Sequence, residues 1–246
     1  MSPPPDLVAA VQALWGPGDW IDRSRPGPNR VWEHPRGFIK MGTAGGFRQA
    51  QRALTQWLPA LGTRRLAAAF PEHRALLTWR VPGVPATATP ATFEAAGAWL
   101  RRLHDLPCTD PDSVPLARAI PARVARAADA LGVSVQVNAS CLVQTPRVPC
   151  HRDFHPRNWF VEPFGVIDFE HARLDHPLLD VVRLWEADER CRDAFAGSYG
   201  YIDPEELAVV EVLHALQSLE WGRRHDAPAF AAEGRRLLER RGISLG

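Results

Sequence analysis

A two-lobed α+β fold, with a small β-rich N-terminal lobe and a larger α-rich C-terminal lobe, is predicted by three features of this 246-residue chain. Short apolar runs separated by turn formers fill the first third. A segment broken by Pro and Gly, "VPGVPATATPAT" at residues 81–92, follows them. Beyond it, apolar residues recur at helical spacing almost to the end. Placing the boundary in that break gives an N-lobe of residues 1–82, a sheet with one helix, and a C-lobe of residues 83–246.

Taken in order, residues 6–14 read as a short helix. "NRVWEH" and "GFIKM" are β-like runs separated by Pro35 and Arg36, which predicts a hairpin with Lys40 near the end of its second strand. In "GFRQAQRALTQWL", residues 46–58, Phe47, Ala50, Leu54, Trp57 and Leu58 repeat at helical spacing, so a helix follows. Two more strand-like runs span residues 65–70 and 74–81. After the break, "TFEAAGAWLRRLHDLP" reads as a helix ending before Pro107, and "IPARVARAADALG" as one stopping at Gly132. A strand-and-loop region covers residues 147–169, and residues 178–241 read as mostly helix.

Composition narrows the class. At 46% apolar residues the chain can bury a real core, and its longest apolar run is far short of the roughly 20 residues a spanning helix needs. No basic segment precedes an apolar one at the N-terminus, and the four widely spaced cysteines suggest neither a zinc site nor a disulfide framework. A cytoplasmic protein with no membrane partner is expected. The net charge of +1 hides an asymmetry, +7 over residues 1–150 and −6 over residues 151–246, but the basic residues are scattered without a nucleic-acid-binding motif. Lys40 is the only lysine; the other basic side chains, 28 of them, are arginine.

Reactive side chains concentrate in "CHRDFHPRNWFVEPFGVIDFEHARLDHPLLDVV", residues 150–182. Asp153 and Asn158 lie five apart on a stretch kinked by Pro156, which suits a loop curling around a common point. "NWFV" and "FGVIDF" then form a tight hairpin that returns Asp168 beside Asn158. A carboxylate and a carboxamide so placed offer hard oxygen ligands to Mg²⁺, and a second carboxylate stays free to accept a proton. Phosphoryl transfer needs that arrangement.

"HRDFHPRN", "VIDFE" and "DHPLLD" resemble the catalytic loop, metal-binding segment and following Asp motif of the aminoglycoside phosphotransferase and choline kinase family, small-molecule relatives of protein kinases. "WLRRLHDLP", "GPNRVW" and "FIKMG" resemble that family's helix before the catalytic loop, its nucleotide-loop hairpin and the strand bearing its phosphate-binding lysine. The resemblance implies a kinase-like fold using ATP, or GTP, with Mg²⁺. It makes Asp153 the catalytic base, Asn158 and Asp168 the metal ligands, and Lys40 the contact to the α and β phosphates, with Asn29 in the nucleotide loop. Asp180 would brace the catalytic loop from behind, with His151 and Arg152 in support. A compact ammonium reaches between phosphates where a planar guanidinium fits badly, which accounts for the surviving lysine.

Only eight residues separate Asp168 from Pro177, too few for the segment on which peptide substrates dock, so a small hydroxylated acceptor is expected. By resemblance, and by the acidity of the second part, this acceptor is an aminoglycoside or another cationic, amino-bearing molecule, handled by a monomer or homodimer. Two departures stand out. Residues 34–71 hold no acidic side chain, so Gln51, with Gln49 as the other candidate, occupies the place of the glutamate that normally pairs with the strand lysine. A catalytically impaired nucleotide-binding protein is therefore the alternative reading. Arg152 and Arg157 replace frequent glycines and read as exposed positions filled by composition bias, with extra positive charge near the phosphates or for an anionic substrate as the alternative.

Overall fold

The computed structural model describes residues 2–24, 27–108 and 114–244. It opens with α1 (Pro5–Trp15), which has Pro at its first position, where no intrahelical N–H is needed, and buries Leu7, Val11 and Trp15 as one stripe. β1 (Ile21–Asp22), β2 (Arg30–His34) and β3 (Gly37–Met41) follow, β2 and β3 paired so that His34 faces Gly37 across the turn. Thr43 caps α2 (Ala44–Arg52) by accepting from the Gly46 N–H. The helical run continues through a π turn, Ala53–Trp57, into α3 (Leu58–Ala60), so it starts two residues before the predicted helix and ends two after it. β4 (Leu66–Phe70) and β5 (Ala75–Trp79) complete an antiparallel sheet of order β1-β2-β3-β5-β4.

Alternation along β3 divides its side chains between two faces. Ile39, with Trp32, Ala75 and Leu77, packs under α1 in a small core of its own. Lys40 and its register partner Leu76 point to the opposite face, and Leu76 belongs to the large core shared with the helices. The sheet thus delivers Lys40 toward the helical part of the molecule. Gly37 lets α1 come down on the sheet: a Cβ there would stand 2.1 Å from the Thr78 carbonyl oxygen and 2.4 Å from the Trp15 ring.

The connecting segment is not purely irregular. Within it β6 (Val84–Pro85) pairs with β8 (Trp159–Val161), which pairs in turn with β9 (Gly165–Val166), so the break after the first sheet is stitched to the predicted hairpin. α4 (Pro90–His104) begins at the Thr89 cap. α5 (Leu116–Leu131) starts four residues before Ile120 and carries Pro121 inside it. The stripe Leu116, Ile120, Val124 and Ala127 is buried, and its packing outweighs the one backbone hydrogen bond that Pro121 cannot donate.

β7 (Val148–Cys150) and β10 (Arg173–Asp175) form a two-stranded ladder flanking the β8–β9 hairpin. The expected helix from residue 178 begins only as single 3₁₀ turns, Pro177–Leu179 and Val182–Glu186. Regular helix resumes with α6 (Glu189–Tyr199), α7 (Pro204–Arg224) and α8 (Pro228–Arg240). α7 is the central helix, with Val210, Leu213, Ala215, Leu216 and Leu219 fully enclosed. α4 meets α6 closely at Gly97, where a Cβ would stand 2.5 Å from the Phe195 carbonyl oxygen. No helix of the described residues is long and apolar enough to cross a membrane.

Candidate active site

Lys40 leaves the sheet and meets two carboxylates from the short turn Phe169–His171 and the residue before it. Its Nζ donates to Asp168 Oδ1 and lies 2.9 Å from Glu170 Oε2. Desolvation works against the ammonium, but Asp168 and Glu170 outweigh it and raise the Lys40 pKa above its ordinary value. Asn29, just before β2, donates its side-chain N–H to Glu170 Oε2 at 2.6 Å. Gly42 makes that approach possible, since a Cβ there would stand 2.8 Å from Asn29 Oδ1. α2 supports Glu170 from above: a Cβ on Gly46 would be 3.5 Å from Glu170 Cβ.

The segment after β7, which carries Asp153, is held by one buried carboxylate. Asp180 accepts from the backbone N–H of His151 at 2.8 Å and of Arg152 at 2.6 Å, and its Oδ2 lies 3.2 Å from His104 Nε2. His104 Nδ1 in turn lies 2.8 Å from the Tyr199 hydroxyl. Cys150 adjoins this group, but burial raises its thiol pKa well above the ordinary value and the S–H faces the Val148 and His176 carbonyls. The cluster is therefore a hydrogen-bonded brace, with a protonated thiol rather than a metal ligand at its edge.

His151 is wholly buried and spans the two motifs. Its Nδ1 accepts the Asp153 N–H at 3.2 Å, and its Nε2–H donates to the Ile167 carbonyl at 2.9 Å. Desolvation lowers the His151 pKa, so the ring is a neutral strut. The Ile167 N–H donates to the Asn158 carbonyl at 3.0 Å, which joins the loop to the segment bearing Asp168. Asp168 itself has φ +71°, a left-handed bend that takes the chain out of β9.

Asp153 is 14% exposed and heavily solicited. Arg157 donates to both its oxygens, at 2.8 and 2.9 Å, Arg183 donates to Oδ1 at 3.0 Å, and Asn158 donates to Oδ2 at 2.9 Å. Burial alone would raise this carboxyl, but Arg157, Arg183 and the Asn158 amide outweigh it and hold it below its ordinary pKa. Asn158 uses its amide N–H groups on the Asp153 side chain and carbonyl, so its own oxygen faces elsewhere. That oxygen and the Asp168 carboxylate are hard donors of the type Mg²⁺ prefers, and they sit on the two segments tied through Ile167.

Beside Asp153 opens a cavity of about 290 Å³, lined by His155, Arg157, Arg183, Phe230, Glu233 and Arg236 among others. Arg183 reaches Glu233 with Nε at 3.1 Å and lies over the Phe230 ring, 5.5 Å from its centroid. Trp221 packs against Phe230, with ring centroids 4.6 Å apart. Burial, then the Arg183 and Arg157 charges, push His155 down to about 4, so it adds no charge at neutral pH.

Asn29, Lys40 and Asp168 meet through Glu170, while His151, Arg152, Asp153, Asn158 and Asp180 form one hydrogen-bonded loop. Gln51 does not join them. Among the described residues Lys40 bonds to Asp168 and Glu170, and Gln51 is placed on α2 with its backbone carbonyl accepting from Thr55. Arg152 corrects a second expectation. Its side chain is buried, not exposed, and pairs with Asp175 at 3.3 Å, and its φ of +68° explains why glycine would suit the position. Arg157 is exposed as expected but is engaged with Asp153. Glu170, Arg183 and Glu233 were missed; only Glu170, two residues after Asp168 in "VIDFE", carried a local signal.

Residues 47–210 match the sequence model of the phosphotransferase enzyme family. Among solved structures the fold resembles the GDP and kanamycin complex of APH(2")-IIia, at 14% identity and TM-score 0.68 over 96% of this chain and 97% of that one. It resembles an aminoglycoside-3'-phosphotransferase of type VIII at 19% identity and TM-score 0.58, over 85% and 97%. A choline/ethanolamine kinase family protein from Mesorhizobium loti aligns at 17% identity and TM-score 0.57, over 96% and 92%. No curated protein matches the chain.

Proposed function

We propose, for a chain that belongs to the phosphotransferase enzyme family, that it transfers the γ-phosphoryl group of ATP or GTP to a hydroxyl of a small molecule. The observation carrying this reading is the convergence of Lys40, from the sheet, on Asp168 and Glu170, 128 and 130 residues later, beside the loop that bears Asp153 and Asn158. Structural neighbours described with ATP or GDP support the nucleotide.

In this reading Lys40 grips the α and β phosphates, with Glu170 holding the ammonium in place and Asn29 holding Glu170. Asn158 and Asp168 would hold Mg²⁺, which when bound neutralises charge on the transferring phosphoryl group. Asp153 accepts a hydrogen bond from the acceptor hydroxyl and orients its oxygen toward phosphorus. The new O–P bond forms as the bond to the nucleoside diphosphate breaks, and the hydroxyl proton passes to Asp153. Asp180, through His151 and Arg152, keeps that carboxylate in register. The ground for an impaired enzyme was an uncharged partner for Lys40, and Glu170 supplies the charge that Gln51 lacks.

Asp153→Ala tests the assignment. Turnover of Mg-ATP with acceptor falls by roughly 10²–10⁴ while nucleotide affinity is kept. A mass gain of one phosphoryl group on candidate acceptors is the readout, and equal turnover by both proteins would remove Asp153 from the mechanism.

A further inference from the structure

Resting on the phosphotransferase reading above, we propose that the acceptor carries an acidic group, a carboxylate or a phosphate, which Arg157 and Arg236 bind in the cavity beside Asp153 while its hydroxyl reaches Asp153. The expectation of a cationic acceptor came from resemblance and from the overall charge of the second part of the chain. The cavity itself is charged differently. Three guanidiniums face it, those of Arg157, Arg183 and Arg236, against the carboxylates of Glu186 and Glu233.

Glu233 is already committed to Arg183 at 3.1 Å and to His214 at 3.4 Å. An entering ammonium would find Glu233 already paired, and the other carboxylate of the lining, Glu186, has Arg236 beside it. Arg236 has the weakest engagement. It is 61% exposed along its side chain, and its closest carboxylate, Glu186, is 3.9 Å away.

Arg157 adds a mechanical argument. Its Nη2 donates to both oxygens of Asp153, and Arg183 and Asn158 take further positions on the same carboxylate. A hydroxyl can bond Asp153 only if one of these donors lets go. An acceptor with its own carboxylate or phosphate offers the Arg157 fork an equivalent partner in the cavity, so the exchange leaves no guanidinium unpaired. A cationic acceptor offers no such exchange, and the displaced guanidinium would stand beside a second positive charge. The Phe230 face and the neutral His155 leave room for the uncharged part of the molecule.

One ring scaffold with four end groups decides the matter: glucose, glucuronate, glucose 6-phosphate and glucosamine, titrated calorimetrically into the full chain saturated with Mg²⁺ and a non-hydrolysable ATP analogue, which occupies the nucleotide phosphates' own site. Glucuronate or glucose 6-phosphate should bind at least ten-fold tighter than glucose, and glucosamine more weakly than glucose. Whichever acid wins separates a carboxylate from a phosphate. Arg236→Gln should remove most of that preference, with glucose affinity within about two-fold of wild type. Tightest binding of glucosamine, or no difference among the four, absence of binding included, overturns the acidic acceptor. Failure of the ATP analogue to bind would instead overturn the phosphotransferase reading beneath it.

Discussion

Lys40 on β3 and Glu170 in the turn after Asp168 lie 2.9 Å apart, an ion pair spanning 130 residues of chain. The lysine of this sheet takes its stabilising carboxylate from the turn after β9, not from the helix that follows it. The same carboxylate oxygen receives Asn29, so strand, loop and turn share one anchor.

That anchor is expected to be functional. Glu170→Gln should reduce kcat/KM for the nucleotide by roughly 10–100-fold, since the ammonium loses one of its two carboxylate partners and Asn29 exchanges a charged acceptor for a neutral one. Gln51→Ala should change it by less than about two-fold. Steady-state kinetics with varied nucleotide compares the two variants directly.

Arg157 depresses the Asp153 pKa, and its removal has a definite sign. Without that cation the carboxylate holds its proton to higher pH. The acid limb of the kcat/KM profile for Arg157→Gln should therefore move upward in pH relative to wild type. An unmoved or downward-shifted limb would contradict the pairing.

Asp180 carries the catalytic loop on two backbone N–H groups and faces His104. Asp180→Asn leaves an amide where a buried carboxylate accepted three hydrogen bonds. A loss of about 2–4 kcal/mol of unfolding free energy is expected by denaturant titration, together with a fall in kcat larger than any change in nucleotide KM.

Asp175 gives a pH-dependent stability term. Burial would raise its pKa, yet Arg152, Arg123 and Arg173 hold it far below the ordinary carboxylate range. A depressed folded-state value means the contribution is complete above the unfolded value, roughly pH 4, and is lost as pH falls toward the folded one. Asp175→Asn should cost about 3–5 kcal/mol at pH 7. The difference from wild type should shrink on acidification below about pH 4, measured by urea unfolding at both pH values.

The part of the site readable in the sequence is the part built from contiguous residues. Asp153, Asn158 and Asp168 stand in short runs whose loop and hairpin geometry follows from Pro156 and the turn before Gly165. The partner of Lys40 was not readable, although Glu170 lay in plain view. Its selection depends on how closely α2 settles over the turn at Gly46, a packing distance that no local pattern encodes. Arg183 is 30 residues from Asp153, in the turn Val182–Glu186, and Glu233 reaches Arg183 from α8, which packs back along α7. Helix α5 begins four residues before Ile120 because the buried stripe from Leu116 carries the helix through Pro121.

With a single ε-amine in the chain, and that amine wedged between two acids, acylating reagents acquire an unusual meaning here. Lys40 is the only lysine an amine-directed label can take. The rate of its modification, followed by intact mass, gauges how readily the partly exposed amine leaves Asp168 and Glu170.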